Sequence, residues 1–207
     1  MPDQFSSSSR VRLFKSERLE KLTFISPRAF AVLWAVLLPM IAFVGWGEAS
    51  VMAALGLCLA GMVTWILFEY AMHRYLFHWK TRWKPAAFVV YLMHGNHHDS
   101  PNDEMRNLMP PSASLPIAAC VWGLFALALG PAGTWAFLGF MIGYVAYDVT
   151  HFACHQWPMR GGLGLMLKRH HMRHHHIDEE ANFAITAIFL DRVFGTRISS
   201  LKDRSAA

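Results

Sequence analysis

Charge is what this sequence has least of. Asp, Glu, Lys and Arg together make up 16% of its 207 residues, against about 25% in an average soluble domain. Residues 29–47, 51–68 and 107–147 contain none at all. Cysteine is also scarce, with three copies. Cys58 and Cys120 fall in the uncharged stretches and Cys154 lies between two histidines, so no disulfide framework is expected. With 54% hydrophobic residues and a mean hydropathy of +0.26, disorder, coiled coil and collagen are excluded. What is present in excess is histidine: 12 copies, all within 73–78, 94–98, 151–155 and 170–176.

A membrane span needs roughly 20 apolar residues. The first two uncharged stretches qualify directly. The third is 41 residues long, and Gly130-Pro131-Ala132-Gly133 divides it into limbs at 115–129 and 135–147. A buried hairpin of a soluble protein would keep a polar face, and 41 uncharged residues leave none. The expected fold is therefore all-α and integral to a membrane, with four transmembrane helices. Six of the 19 Lys and Arg precede the first span, five lie between the second and third, and eight follow the fourth. The loops at 46–50 and 130–134 hold none. By the positive-inside rule both termini and the middle loop face the cytoplasm. The short opposite loops make two tight hairpins. The net charge of +5 reads as a basic face against anionic headgroups, with no nucleic-acid partner needed.

The chain divides into an N-terminal segment at 1–28, a membrane domain at 29–196 and a tail at 197–207. Residues 1–10 are expected to be disordered. Residues 11–22 alternate basic and apolar side chains, as an amphipathic helix on the membrane surface would. Apolar character begins only near residue 29, so no cleavable signal is expected.

The histidines carry the chemistry. His73 and His78 form HxxxxH; His94, His97 and His98 form HxxHH; His151 and His155 form HxxxH; His171, His174 and His175 form a second HxxHH. On a helix, residues three or four apart share a face, so each HxxHH presents three imidazoles on one side. Residues five apart lie about 140° apart on an ideal helix. His73 and His78 thus suit two different metal ions, or a helix that ends between them. Neutral imidazole is a common nitrogen ligand of transition metals. A structural zinc site needs four ligands; these ten fit two metals with about five each. Helix lengths bring all four motifs to one end of the spans, forming a histidine-rich dimetal cap on the cytoplasmic side.

Glu69-Tyr70-x-x-His73-Arg74-x-x-Phe77-His78, His94-Gly95-x-His97-His98 and Arg106-x-x-Met109-Pro110-Pro111 resemble the fatty acid hydroxylase superfamily. So do Asp148-x-x-His151-x-x-x-His155, His171-x-x-His174-His175, Asn182-Phe183-Ala184-Ile185-Thr186 and Asp191-x-Val193-Phe194-Gly195-Thr196. The nearest branch is the fatty acid 2-hydroxylases, which act on acyl chains of fatty acids or sphingolipids, and the likeness runs from about residue 11 to residue 196. The resemblance implies a monooxygenase with two iron ions, zinc substituting on isolation, and O2 as co-substrate. It implies as metal ligands His73, His78, His94, His97, His98, His151, His155, His171, His174 and His175, with hydroxylation at C2. His170 and His176 match less regular positions and stand outside the set. Ala184 stands where glycine is common, at a turn expected to face substrate. No His-Pro-Gly-Gly haem motif occurs, so electrons are expected from a separate cytochrome b5-like or ferredoxin-type donor with its reductase. The lipid substrate enters from the bilayer past Phe77, Trp79, Trp83, Tyr91 and Trp157, or those aromatics only anchor the interface. The expected location is the bacterial inner membrane rather than the endoplasmic reticulum. Sterol or carotenoid oxidation within the same superfamily, and metal binding or transport without catalysis, are the alternatives.

Overall fold

The structure is a computed structural model that describes residues 11–198. The expected disorder of residues 1–10 and nearly all of the 197–207 tail lie outside the described residues. Every regular element among them is helical. In chain order these are α1 (Glu17–Lys21), α2 (Pro27–Val44), α3 (Val51–Ala71), α4 (Lys84–Val90), α5 (Asn96–Asp99), α6 (Pro111–Leu129), α7 (Gly133–Gln156), α8 (Gly162–His176) and α9 (Phe189–Val193). Two π-helical segments, Met72–Phe77 and Tyr91–Gly95, continue α3 and α4.

Local chemistry starts and stops the long helices where the sequence suggests. Ser26 and Ser50 cap α2 and α3, accepting from the backbone N–H of Ala29 and Ala53, a usual way to satisfy the first free amides. Pro27 and Pro111 occupy the first turns of α2 and α6, where their missing N–H costs nothing. Gly130, at φ +63°, closes α6 in a conformation that favours glycine.

Three stretches are long and apolar enough to cross a membrane: Pro27–Val44, Val51–Phe77 and Glu104–Gln156. The third contains both α6 and α7, turned back on one another so that Trp122 stacks on Phe137 at 5.3 Å. The chain is an integral membrane protein. Leu127, Phe43 and Met52 are 87%, 80% and 78% exposed, a surface suited to lipid rather than to water.

The centre of the bundle is α7, with 16 of its 24 residues buried. The expected hairpin of the first two spans is not the main packing unit. The six-residue loop 45–50 joins α2 and α3, yet each of them docks on α7. Tyr144 of α7 meets Phe30 and Trp34 of α2. The closest approach is α3 on α7, which run parallel. A Cβ on Gly61 would stand 1.8 Å from the Ala136 carbonyl, and one on Gly139 1.8 Å from that of Cys58. Small residues let helices touch where lipid offers no hydrophobic drive for association.

The N-terminal segment differs from expectation. Residues 11–16 are not helical, and α1 has only five residues. Buried Glu20 accepts the backbone N–H of Leu13 and Phe14 and pairs with Arg106 at 2.6 Å. Arg106 also donates to the carbonyls of Val11 and Thr23. This polar anchor binds the segment's backbone in a non-helical form, which an amphipathic surface helix could not satisfy.

Gly45 lies against Thr134 and Trp135, so the loops 45–50 and 130–132 share one end of the bundle. The histidines occupy the other.

Candidate metal centre

Four elements deliver the histidines: the π-helical end of α3, the π-segment with α5, the end of α7, and α8. They form two groups of five. One holds His73, His78, His94, His98 and His174; the other holds His97, His151, His155, His171 and His175. Within each group the candidate ligand atoms all lie within 4.8 Å of one another. All ten residues singled out in the sequence are brought together.

Their distribution differs from what the spacing suggests in two ways. His73 and His78 sit in one group, not two, because Met72–Phe77 is π-helical. An i→i+5 hydrogen-bond pattern stacks residues five apart. Each HxxHH is split instead: His94 and His98 face one group and His97 the other, as His174 does against His171 and His175. The same two motifs thus link both groups.

Three rings are oriented from behind. His73 Nδ1 donates to the Phe183 carbonyl, His151 Nδ1 to that of Asn107 and His174 Nδ1 to that of Ala181. That places the hydrogen on Nδ1 and the lone pair on Nε2, which faces the group centre. Around the second centre the Nε2 atoms of His151, His97, His175, His171 and His155 follow one another at 2.9, 3.0, 3.1 and 2.8 Å. His97, His175 and His171 each face two neighbours there. A ring nitrogen has one lobe in its plane and cannot bond both. Nδ1 of these same three rings has no partner among the described residues. One cation at the centre would use all five lone pairs, so the donor set fits a metal in each group.

The environment keeps the rings neutral. Burial, then the neighbouring imidazoles, lowers His94, His97, His171 and His174 well below the ordinary histidine range. Burial, with His98 and Lys80 nearby, pushes His78 down to about 4. Neutral imidazole is the form that binds metal.

Two carboxylates behind the histidines had a place in the sequence motifs but no evident role. Asp191, fully buried, accepts the backbone N–H of Phe183 and Ala184, the Thr196 hydroxyl and His170 Nε2. Glu69 accepts the N–H of Ile185 and Thr186 and the Thr186 hydroxyl. Together they clamp the 181–186 strap whose carbonyls orient His73 and His174. Asn182, at φ +54°, turns the strap and donates to the His170 carbonyl. Ala184 needs no glycine-like backbone and packs with Tyr70, Phe183 and Leu190. His170 is thus a structural partner of Asp191, while His176 is exposed.

An apolar cavity opens beside α3, α6 and α7, lined by Trp65, Phe68, Met72, Ile117, Phe140 and Met141. Phe77, Met109 and Tyr147 line both it and a more polar cleft with His94, His97, Asn107 and His151 in its wall. Of the five expected entrance aromatics, only Phe77 borders this route. Trp157 lines a separate groove between α2 and α7; Trp79 and Trp83 are exposed.

The comparisons with known proteins agree with this geometry. A sequence profile described as fatty acid hydroxylase matches residues 58–196. A dihydroceramide fatty acyl 2-hydroxylase of Arabidopsis thaliana is 34% identical over 187 residues, covering 89% of this chain and 79% of the relative. A ceramide very long chain fatty acid hydroxylase of Schizosaccharomyces pombe is 40% identical over 143 residues, covering 67% and 41%. A solved structure described as full-length scs7p with only its hydroxylase domain visible superposes with a TM-score of 0.83. It is 32% identical and covers 90% of this chain and 71% of that one. The ten clustered histidines, the membrane helices and these matches lead to one conclusion: the chain belongs to the fatty acid hydroxylase family and is a lipid hydroxylase.

Proposed function

We propose that the chain inserts one oxygen atom from O2 at C2 of a long acyl chain, either free or amide-linked in a sphingolipid. The observation that carries this reading is the pair of five-histidine groups, three of whose rings wall a polar cleft that shares Phe77, Met109 and Tyr147 with an apolar cavity between membrane helices. All ten histidines act as ligands, five to each of two iron ions, with zinc replacing iron on isolation because it binds imidazole sites more tightly. The reduced metal pair, when bound, supplies the O2 activation and C–H oxidation that no amino-acid side chain provides.

The chain's own residues do the rest. Trp65, Phe68, Phe140 and Met141 receive the acyl tail and exclude water. The wall turns polar at Asn107 and Asp148, beside His97 and His151. Asn107 is 1% exposed and its side-chain amide has no partner among the described residues. A buried unsatisfied amide is costly, and a substrate carbonyl or hydroxyl would satisfy it. With the carbonyl held there, C2 is the first methylene beside the histidines. The overall change is R–H + O2 + 2 e⁻ + 2 H⁺ → R–OH + H2O, with the electrons from a separate cytochrome b5-like or ferredoxin-type carrier and its reductase.

The membrane arrangement in this reading is four spans, with both termini and the histidine cap cytoplasmic and residues 29–196 forming the hydroxylase unit. The relatives named above are eukaryotic, so they lend no support to a bacterial inner membrane. The test is incubation of the iron-loaded protein with ¹⁸O2, a reductant and an electron carrier. The expected product carries one labelled oxygen at C2, located by fragmentation. A double bond, an oxidised sterol or carotenoid, or label from water would each reject the reading.

A further inference from the structure

The face of α8 opposite the metal centre carries an open cleft. Arg169, Arg173 and Arg197 line it, with Leu165, Met166 and Ile188 as apolar floor and buried His170 in its wall. None of the three arginines forms an ion pair among the described residues. We propose that this cleft is the docking site of a small acidic one-electron carrier protein that reduces the centre. The proposal rests on the oxygen-activating reading given above.

Position argues for it as much as charge does. Arg169 and His171 are two residues apart, as are Arg173 and His175, so each pair is separated by about 200° around the helix. One helix, about 10–12 Å across with its side chains, divides the cleft from the ten histidines. A bonded route also crosses it. His170 Nε2 meets Asp191 Oδ2 at 2.9 Å, Asp191 Oδ1 accepts the Phe183 N–H at 2.8 Å, and the Phe183 carbonyl accepts from His73 Nδ1. Leu163 and Met166 are exposed beside the arginines, as is Phe189 next to Ile188. A small apolar contact with a charged rim suits the brief encounters of redox proteins, which bury less than about 1,200 Å², and the charge steers their approach. Each docking event delivers one electron, so two events serve each hydroxyl formed while two carriers are oxidised. An anionic lipid headgroup would be equally served by basic residues anywhere near the membrane; only a reductant gains from lying one helix from the histidines.

The test uses the full chain, iron-loaded, in lipid nanodiscs, with the soluble haem domain of a cytochrome b5 as probe. The Arg169→Glu/Arg173→Glu variant should bind the probe about tenfold or more weakly at low salt. Wild-type affinity should fall steeply between about 50 and about 300 mM salt, and the variant's should not. After chemical pre-reduction, single-turnover product from the variant should stay within twofold of wild type. If the double variant loses metal, Arg197→Glu, which lies off the ligand-bearing helix, decides by the same readouts. Unchanged probe affinity in these variants overturns the proposal. So does loss of co-purifying anionic lipid with probe affinity intact, which would make the cleft a headgroup site. If chemically reduced wild type forms no hydroxylated product, the hydroxylase reading fails, while the probe-binding arm still reports on the cleft.

Discussion

His73 and His78 show how much depends on local backbone. Their spacing of five would split them on an α-helix, and one π-turn unites them in a single group. Because each group has its own five rings, single changes should act on one group at a time. His174→Ala should lower metal content from two ions per chain toward one, as should His97→Ala for the other group, while membrane insertion is unchanged; elemental analysis of purified protein measures this. Retention of two ions with full turnover would reject the ligand assignment. Asp191 acts one shell further out, through the Phe183 carbonyl on His73. Loss of such a supporting partner costs about 10–100-fold in metal affinity. Asp191→Asn should weaken metal binding by that order in the group containing His73 and leave the other nearly intact, as read by chelator competition.

At the scale of the element, α7 sets the positions of the others. Its residues Gly139 and Gly143 meet Cys58 and Trp65 of α3, and the π-segment at the end of α3 carries the first two histidines. The backbone contact at Gly139 leaves no flexible side chain to move aside. Gly139→Leu should therefore destabilise the protein by about 1–3 kcal/mol or more, the usual cost of overpacking. A lowered unfolding temperature in detergent would show it, together with weaker metal retention. An unchanged unfolding temperature would mean that α3 and α7 can separate freely.

For the whole molecule, the histidine groups restrict the topology. His94 and His98 come from the 84–106 region and His174 from α8, yet they share one group, so both regions lie on one side of the membrane. The loops 45–50 and 130–132 lie at the opposite end. Cysteine-labelling of intact cells should find positions in 80–110 and 156–198 accessible only from the cytoplasm, and a cysteine at Gly130 only from the other side. The reverse pattern would reject the positive-inside assignment.

Composition and spacing were enough for the helical membrane class, for the ten histidines and for their gathering at one end. Uncharged runs, cap residues and clustered ligands are local signals, and each is written in consecutive residues. The sequence also carried the motif residues Glu69, Asp191 and Asn182, but not what they do. Glu69 acts on Ile185 across 116 residues, and Asp191 and Asn182 act through a strap whose Phe183 meets His73 across 110 residues, which no local pattern encodes. Tertiary structure likewise decided that residues 11–16 are not helical, because buried Glu20 and Arg106 bind their backbone. It decided that α2, α3 and α6 all pack on α7, with glycine letting α3 approach it closely. And it decided which histidine joins which group: the π-turn at Met72–Phe77 brings His73 and His78 together, and the packing of α8 against both clusters sets His174 apart from His171 and His175.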